Sequence, residues 1–197
     1  GTEKKFADNS GTMLLPEAGN SYPDILDETR VETDFFFSMQ ETSGENKGMV
    51  HHKMHDFKWT ALCVRPAEDP LERIVKPVTY AASLQAAAAW AQSARLWEPY
   101  DAAYATKCLD AAKLAYSAAK AKYEANGSKY NSADTYFAPI EDGKGGGAYG
   151  DNYVDDDFYW AACELYLSTG DESYYKDLSG YKDAFKCGTV LEGGEDK

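Results

Sequence analysis

Apolar residues return at helical spacing in five stretches of the chain, and two long segments between them lack that period. The first helix is predicted from Pro23, a residue favoured in a first turn, with Asp24, Asp27 and Glu28 at its positive end. Ile25, Leu26, Phe35, Phe36 and Met39 are its apolar positions, and the run ends near Gln40. A second helix runs from Thr79 as N-cap to about Trp97. Asp101 caps a third, from Ala102 to about Tyr123, which Asn126-Gly127 closes. A fourth starts after Asp155, turns Phe158, Tyr159, Ala162, Leu165 and Tyr166 inward, and stops at Gly170. Asp171 caps a fifth through Tyr174, Tyr175 and Leu178, reaching toward Phe185.

Two junctions share one layout. Trp97-Glu98-Pro99-Tyr100-Asp101 is a helix end, a tight turn and an Asp cap, with Tyr104 three residues on; Ser168-Thr169-Gly170-Asp171 with Tyr174 repeats it. The helices are therefore expected to pair as antiparallel hairpins. The connections between hairpins, Glu41 to Val78 and Gly127 to Val154, are long, non-helical and rich in aromatics and Gly, so they are expected to be ordered and functional. Short turns at one end and long loops at the other describe an all-α toroid whose long loops line a cleft. A tetratricopeptide-like solenoid would keep a short fixed period, and this chain does not.

Composition adjusts that picture in two ways. Leu, Ile and Val are sparse while Ala and Tyr abound, which suits helices packed closely through small side chains with tyrosines between them. The net charge of -13 argues against nucleic acid and against an anionic membrane face, while a neutral polysaccharide would not feel it. The Ala-rich run from Ala81 to Ala94 falls short of the roughly 20 apolar residues that span a bilayer. No leader pattern follows Gly1, so a mature or excised form is expected. Cys63, Cys108, Cys163 and Cys187 form no CxxC pair, and Cys108 and Cys163 fall on the apolar stripes of their helices.

All three histidines lie in the first long loop, in Met49-Val50-His51-His52-Lys53-Met54-His55-Asp56-Phe57-Lys58-Trp59. His51 and His55 have helix-type spacing for a metal and Cys63 is near, but no HExxH or paired-Cys pattern supports zinc. Ordinary hydrogen bonding is a second reading, and sugar contact a third, with Trp59 as a face for a pyranose. The second loop runs from Gly145-Gly146-Gly147 through Tyr149 to Asp155-Asp156-Asp157, with no Gly-Lys-Ser/Thr to make it a phosphate loop. Four acids within its last seven residues suit either a calcium ion, which takes oxygen ligands, or a solvated acidic helix start. No pair of carboxylates is singled out for acid and base work; Glu17, Glu141 and Asp142 lie in loops without distinguishing context.

Five motifs in order carry a family resemblance. Pro23-Asp24-Ile25-Leu26-Asp27-Glu28 with Ser38-Met39-Gln40 resembles the entry helix of glycoside hydrolase family nine, and Val50-His51-His52-Lys53 its Val-Tyr-His-Lys segment. Asp69-Pro70-Leu71-Glu72-Arg73 to Pro77-Val78-Thr79, then Trp97-Glu98-Pro99-Tyr100-Asp101, resemble the next two. Asp156-Asp157-Phe158-Tyr159-Trp160-Ala161-Ala162 through Thr169-Gly170-Asp171 resembles its Asp-Glu-Phe-Tyr-Trp-Ala-Ala and Thr-Gly-Asp run. The resemblance is closest to members with an immunoglobulin-like module before the barrel.

That resemblance implies part of an (α/α)6 barrel, a six-hairpin toroid, from a secreted, inverting cellulase of endoglucanase or cellobiohydrolase type, extracellular, with a cell surface or cellulosome among its settings. It implies β-1,4-glucan or cello-oligosaccharide as substrate and the remainder of the barrel as partner. His52 aligns with a sugar-contacting His, and Tyr149 lies near an aromatic sugar platform. Asp156 and Asp157 match the pair that binds a structural calcium, with Asp157 in place of the usual Glu; Asn152 and Tyr153 would add carbonyls. Zinc, where the family has it, lies before this segment and is not expected within this chain. The chain holds neither the Asp-Ala-Gly-Asp motif of the family's base nor the Asn-Glu of its acid, so residues 1–197 read as a partial catalytic domain, inactive alone. Residues 186–197, acidic and Gly-rich, are expected to be loosely ordered. The rival expectations are a non-catalytic carbohydrate-binding or scaffold module, and a helical-repeat protein that binds other proteins.

Overall fold

The computed structural model describes residues 2–128 and 153–181. Five α-helices dominate it: α1 (Asp24–Met39), α2 (Tyr80–Trp97), α3 (Ala102–Ala125), α4 (Asp155–Thr169) and α5 (Glu172–Gly180). Their starts follow from side-chain caps. Thr79 accepts from the Ala82 N–H, Asp101 from Tyr104 and Asp171 from Ser173, each satisfying a first-turn donor that the helix leaves unpaired. Gly170 ends α4 in the left-handed conformation at φ 67°. Pro23 is the N-cap of α1 rather than its first residue, and its carbonyl accepts from Leu26 and Asp27. The expected extension of α5 toward Phe185 lies outside the described residues, as does the tail 186–197.

Helix α2 is the centre of the fold and packs against α1, α3 and α4. Its alanines make that possible: Ala87, Ala88 and Ala91 are fully buried, as are Ala112, Ala115 and Ala119 of α3, which packs against α2. A helix apolar on all sides is a buried one. Trp90 and Trp97 fill the remaining space beside α1; Phe37 stacks on Trp90 at 5.0 Å, and the Trp90 indole donates to the Thr33 carbonyl at 3.2 Å. Phe158 and Leu165 of α4 close the far side.

Several apolar positions differ from the sequence pattern. Ile25 and Phe35 of α1 are 37% and 43% exposed, because only one flank of α1 has a neighbour among the described residues. Tyr159 and Tyr166 of α4, and Cys163 between them, are half-buried rather than inward, and Tyr166 packs on Tyr175 of α5. Cys108 is fully buried, and burial pushes its thiol up to about 11, so it is inert.

The first long connection holds regular structure that helical periodicity cannot reveal. Strands β1 (Val50–His51), β2 (Met54–Asp56), β3 (Arg73–Val75) and β4 (Val78–Thr79) pair antiparallel, β1 with β4 and β2 with β3. Both pairs keep one register. The residues between them continue it: His52 N–H donates to the Pro77 carbonyl and Lys76 N–H to the Lys53 carbonyl, each at 2.9 Å, and Phe57 N–H to Glu72 at 2.8 Å. Residues 50–57 and 72–79 thus form a single two-stranded arm, and the ladder lapses where Pro77 has no N–H to give. The base of the arm is anchored in the core. Ser83 of α2 accepts from the Val50 N–H at 2.9 Å, and Gln40 donates to the carbonyls of Gly48 and Ala111.

These contacts give the helices two distinct ends. At the arm end lie the C-termini of α1 and α3 and the N-termini of α2 and α4, joined by Asn126 donating to the Tyr80 hydroxyl and Gln85 to Asp157. At the turn end, Tyr22 packs edgewise on Trp97, Arg30 pairs with Asp101, and Arg95 binds Glu164 and Ser168.

Candidate functional site

The arm end collects most of the expected site residues. His52 stands near the base of the arm, half-buried, its backbone fixed by Pro77. Trp59 lies beyond β2 near the arm tip with its side chain 80% exposed, free to offer an indole face. Asp156 and Asp157 occupy the first turn of α4. Asp156 is exposed, whereas Asp157 is buried and its Oδ1 accepts from Gln85 at 3.1 Å. Beside them the Asp155 carboxyl is pushed above its ordinary range, by burial first and then by the charge of Asp156. Tyr153 is exposed just before the helix. Tyr149 and Asn152 lie outside the described residues.

The histidines are not arranged as helix-spaced metal ligands, because the segment is extended. Four residues along a strand span about 13 Å, so His51 and His55 cannot share one ion. Both ring nitrogens of His51 face oxygen: Nδ1 lies 2.8 Å from the Lys76 carbonyl and Nε2 3.1 Å from Glu41. His55 Nδ1 lies 2.7 Å from the Asp56 carbonyl. Cys63 is exposed in the tip at φ 68°. Among the described residues no three His, Cys, Asp or Glu side chains converge as metal ligands.

A polar network that sequence reading missed holds the tip. The register sets Asp56 opposite Arg73, and the guanidinium Nε lies 2.7 Å from Asp56 Oδ1. Such cross-strand pairs of opposite charge stabilise a ribbon. The Thr60 hydroxyl lies 2.8 Å from Asp69 and 3.0 Å from Asp56. The Leu71 N–H and then the Thr60 hydroxyl hold the Asp69 carboxyl below its ordinary range. The only sequence signal was the pairing itself, visible once Val50 is set against Thr79 and the register is counted outward.

The fold and its site define a class: helical hairpins of an α/α toroid, with the two-stranded arm at one end of the described helices. Within that class, the chain belongs to glycosyl hydrolase family 9, whose family model matches residues 5–192. It is 49% identical over 179 residues to a cellulose 1,4-beta-cellobiosidase of Acetivibrio thermocellus, covering 88% of this chain and 19% of that protein. It is 45% identical over 175 residues to endoglucanase C of Cellulomonas fimi, covering 88% of this chain and 15% of that protein. The crystal structure of a metagenome-derived family 9 endoglucanase superposes with a TM-score of 0.74 at 36% identity, over 91% of this chain and 30% of that one. The chain thus spans less than a fifth of the length of these two curated relatives. Its described hairpins are those of an (α/α)6 barrel.

Proposed function

We propose that the chain works as part of an inverting β-1,4-glucan hydrolase of cellulase type, forming a stretch of the sugar cleft at the arm end. The observation that carries this reading is the placement of His52, Trp59 and the acidic turn of α4 at or beyond the arm end of the helices, in a chain of a family whose relatives include a cellobiosidase and an endoglucanase. The exposed Trp59 indole offers a flat apolar face to the C–H face of a pyranose, and the half-buried His52 takes the sugar-contacting position that the family resemblance gives it. Both steps bind and orient the glucan. Inversion needs a second pair of groups, an acid for the leaving oxygen and a base for water, set roughly 6.5–9.5 Å apart. This chain contains neither family motif for them, so the reading assigns both to residues outside these 197.

A structural calcium belongs to the same reading. Carboxylates of Asp156 and Asp157, with carbonyls of Asn152 and Tyr153, make an all-oxygen donor set of the kind calcium takes. The exposed Asp156 and the buried Asp157 in one helical turn fit that role, since clustered carboxylates repel unless a cation lies among them. The bound ion would tie the second long connection to α4. A secreted, extracellular setting, at a cell surface or in a cellulosome, completes the proposal.

The deciding experiment pairs reducing-sugar release from soluble β-glucan with cellohexaose binding, both on the 197-residue chain. Binding without turnover, lost in Trp59→Ala, is the expected result. Turnover at this chain's mass would overturn the placement of the catalytic acids, and absence of binding would overturn the cleft.

A further inference from the structure

A cavity of about 300 Å³ opens at the turn end, between α1 and the loop before it, with no residue of the arm in its lining. Asp27 lies in its wall and is 5% exposed. Its Oδ1 accepts from Asn20 at 3.1 Å, but its buried Oδ2 has no donor among the described residues. A buried carboxylate oxygen without a donor is costly, and native structures supply one. Glu17 and Asp34 add two more carboxylates to the lining.

The one cation in the lining is already committed. Arg30 lies 3.5 Å from both Asp34 and Asp101, and its guanidinium sits 4.0 Å above the Tyr104 ring and 5.0 Å from that of Trp97. The cavity is therefore rich in acceptors and short of donors. A compact metal ion does not match it, because no three acidic side chains converge there among the described residues. A cation on an apolar stem does. Its head would reach Asp27 between Glu17 and Asp34, and its methylenes would lie along Val31, which is 65% exposed, and the Tyr22 ring.

We propose that this cavity receives a lysine or arginine side chain from polypeptide that packs on the turn end of α1. This rests on the reading that further polypeptide completes the barrel. The bound side chain would supply the donor that Asp27 lacks and would fix how that polypeptide sits against α1.

The test follows the backbone amides of residues 27–34 by NMR in the 197-residue chain, titrated with n-butylguanidinium chloride. Sodium chloride and n-butanol are the controls. The expected result is a saturable shift of these amides, with half-saturation on the order of millimolar, given by the guanidinium alone. Asp27→Asn should weaken it about tenfold, as expected for loss of one charge-assisted hydrogen bond. Glu17→Gln, at an exposed position, should weaken it less and serves if the Asp27 variant does not fold. Equal shifts from butanol or salt, or an unchanged response in both variants, would overturn the proposal. So would calcium chloride moving the same amides at lower concentration. Loss of oligosaccharide binding at the arm with an intact response here would instead strike only the sugar-cleft reading.

Discussion

Gly48 stands at φ 95°, and a Cβ placed on it would lie 2.9 Å from Leu114 Cγ and 3.0 Å from the Leu114 carbonyl of α3. Backbone strain and overpacking then act together, so Gly48→Ala should cost about 2 kcal/mol or more, read as a lower urea midpoint at unchanged slope. Gly170, at φ 67° with open space around it, carries only the backbone penalty, and its alanine variant should lose about 1 kcal/mol. The contrast shows what a sequence can display. Gly170 closes a helical run and reads as a stop, whereas the need for Gly48 arises from a helix some 65 residues away in sequence. Asp69 gives a pH effect whose sign follows from its partners. Its folded carboxyl is held below the ordinary value of 3.8, so the unfolded chain takes up the proton more readily. Its contribution is present above that value and is lost as pH falls through the folded one. Trp59 emission, reporting the nearby tip, should therefore change on acidification below about pH 4, and Asp69→Asn should remove most of that change.

At the scale of elements, the helices were legible because their signals are local. The caps Thr79, Asp101 and Asp171 and the stop at Gly170 all act within one turn, and each appears in the structure where the sequence set it. The arm was not legible as strands. Its pairing joins residues up to 29 apart, from Val50 to Thr79, and Pro77 interrupts the ladder midway. Its anchor is a single serine in α2. Ser83→Ala leaves the buried Val50 N–H without its acceptor and should cost about 1–3 kcal/mol in a thermal or denaturant melt. Trp59→Ala, at an exposed position, should leave the melt within about 0.5 kcal/mol while cellohexaose binding is lost. The two variants separate the arm's attachment from its use.

For the whole molecule, the acidic turn and the uncovered faces carry the tests. A chelator should lower the melting temperature, and Asp156→Ala should abolish that response; a chelator without effect would remove calcium from the account. Val31 and Phe35 of α1, and Trp160 and Leu167 of α4, are 65%, 43%, 44% and 64% exposed on faces that no described element covers. Binding of an apolar dye by the native chain is the expected consequence, and none would mean those faces are covered. The sequence by itself determined five helices, their hairpin turns and the family, because caps, stops and motifs are written in short runs of residues. It also placed His52, Trp59 and the acids of α4 in or beside the long connections. Only the tertiary structure decided that residues 50–57 and 72–79 form one arm, and that His51 and His55 lie too far apart for one metal. It alone showed that Ile25 and Phe35 stay exposed, and that Asp27 is buried in the wall of a notch. Each of those outcomes depends on which segments meet across long separations, and burial and unmet donors exist only once they have met.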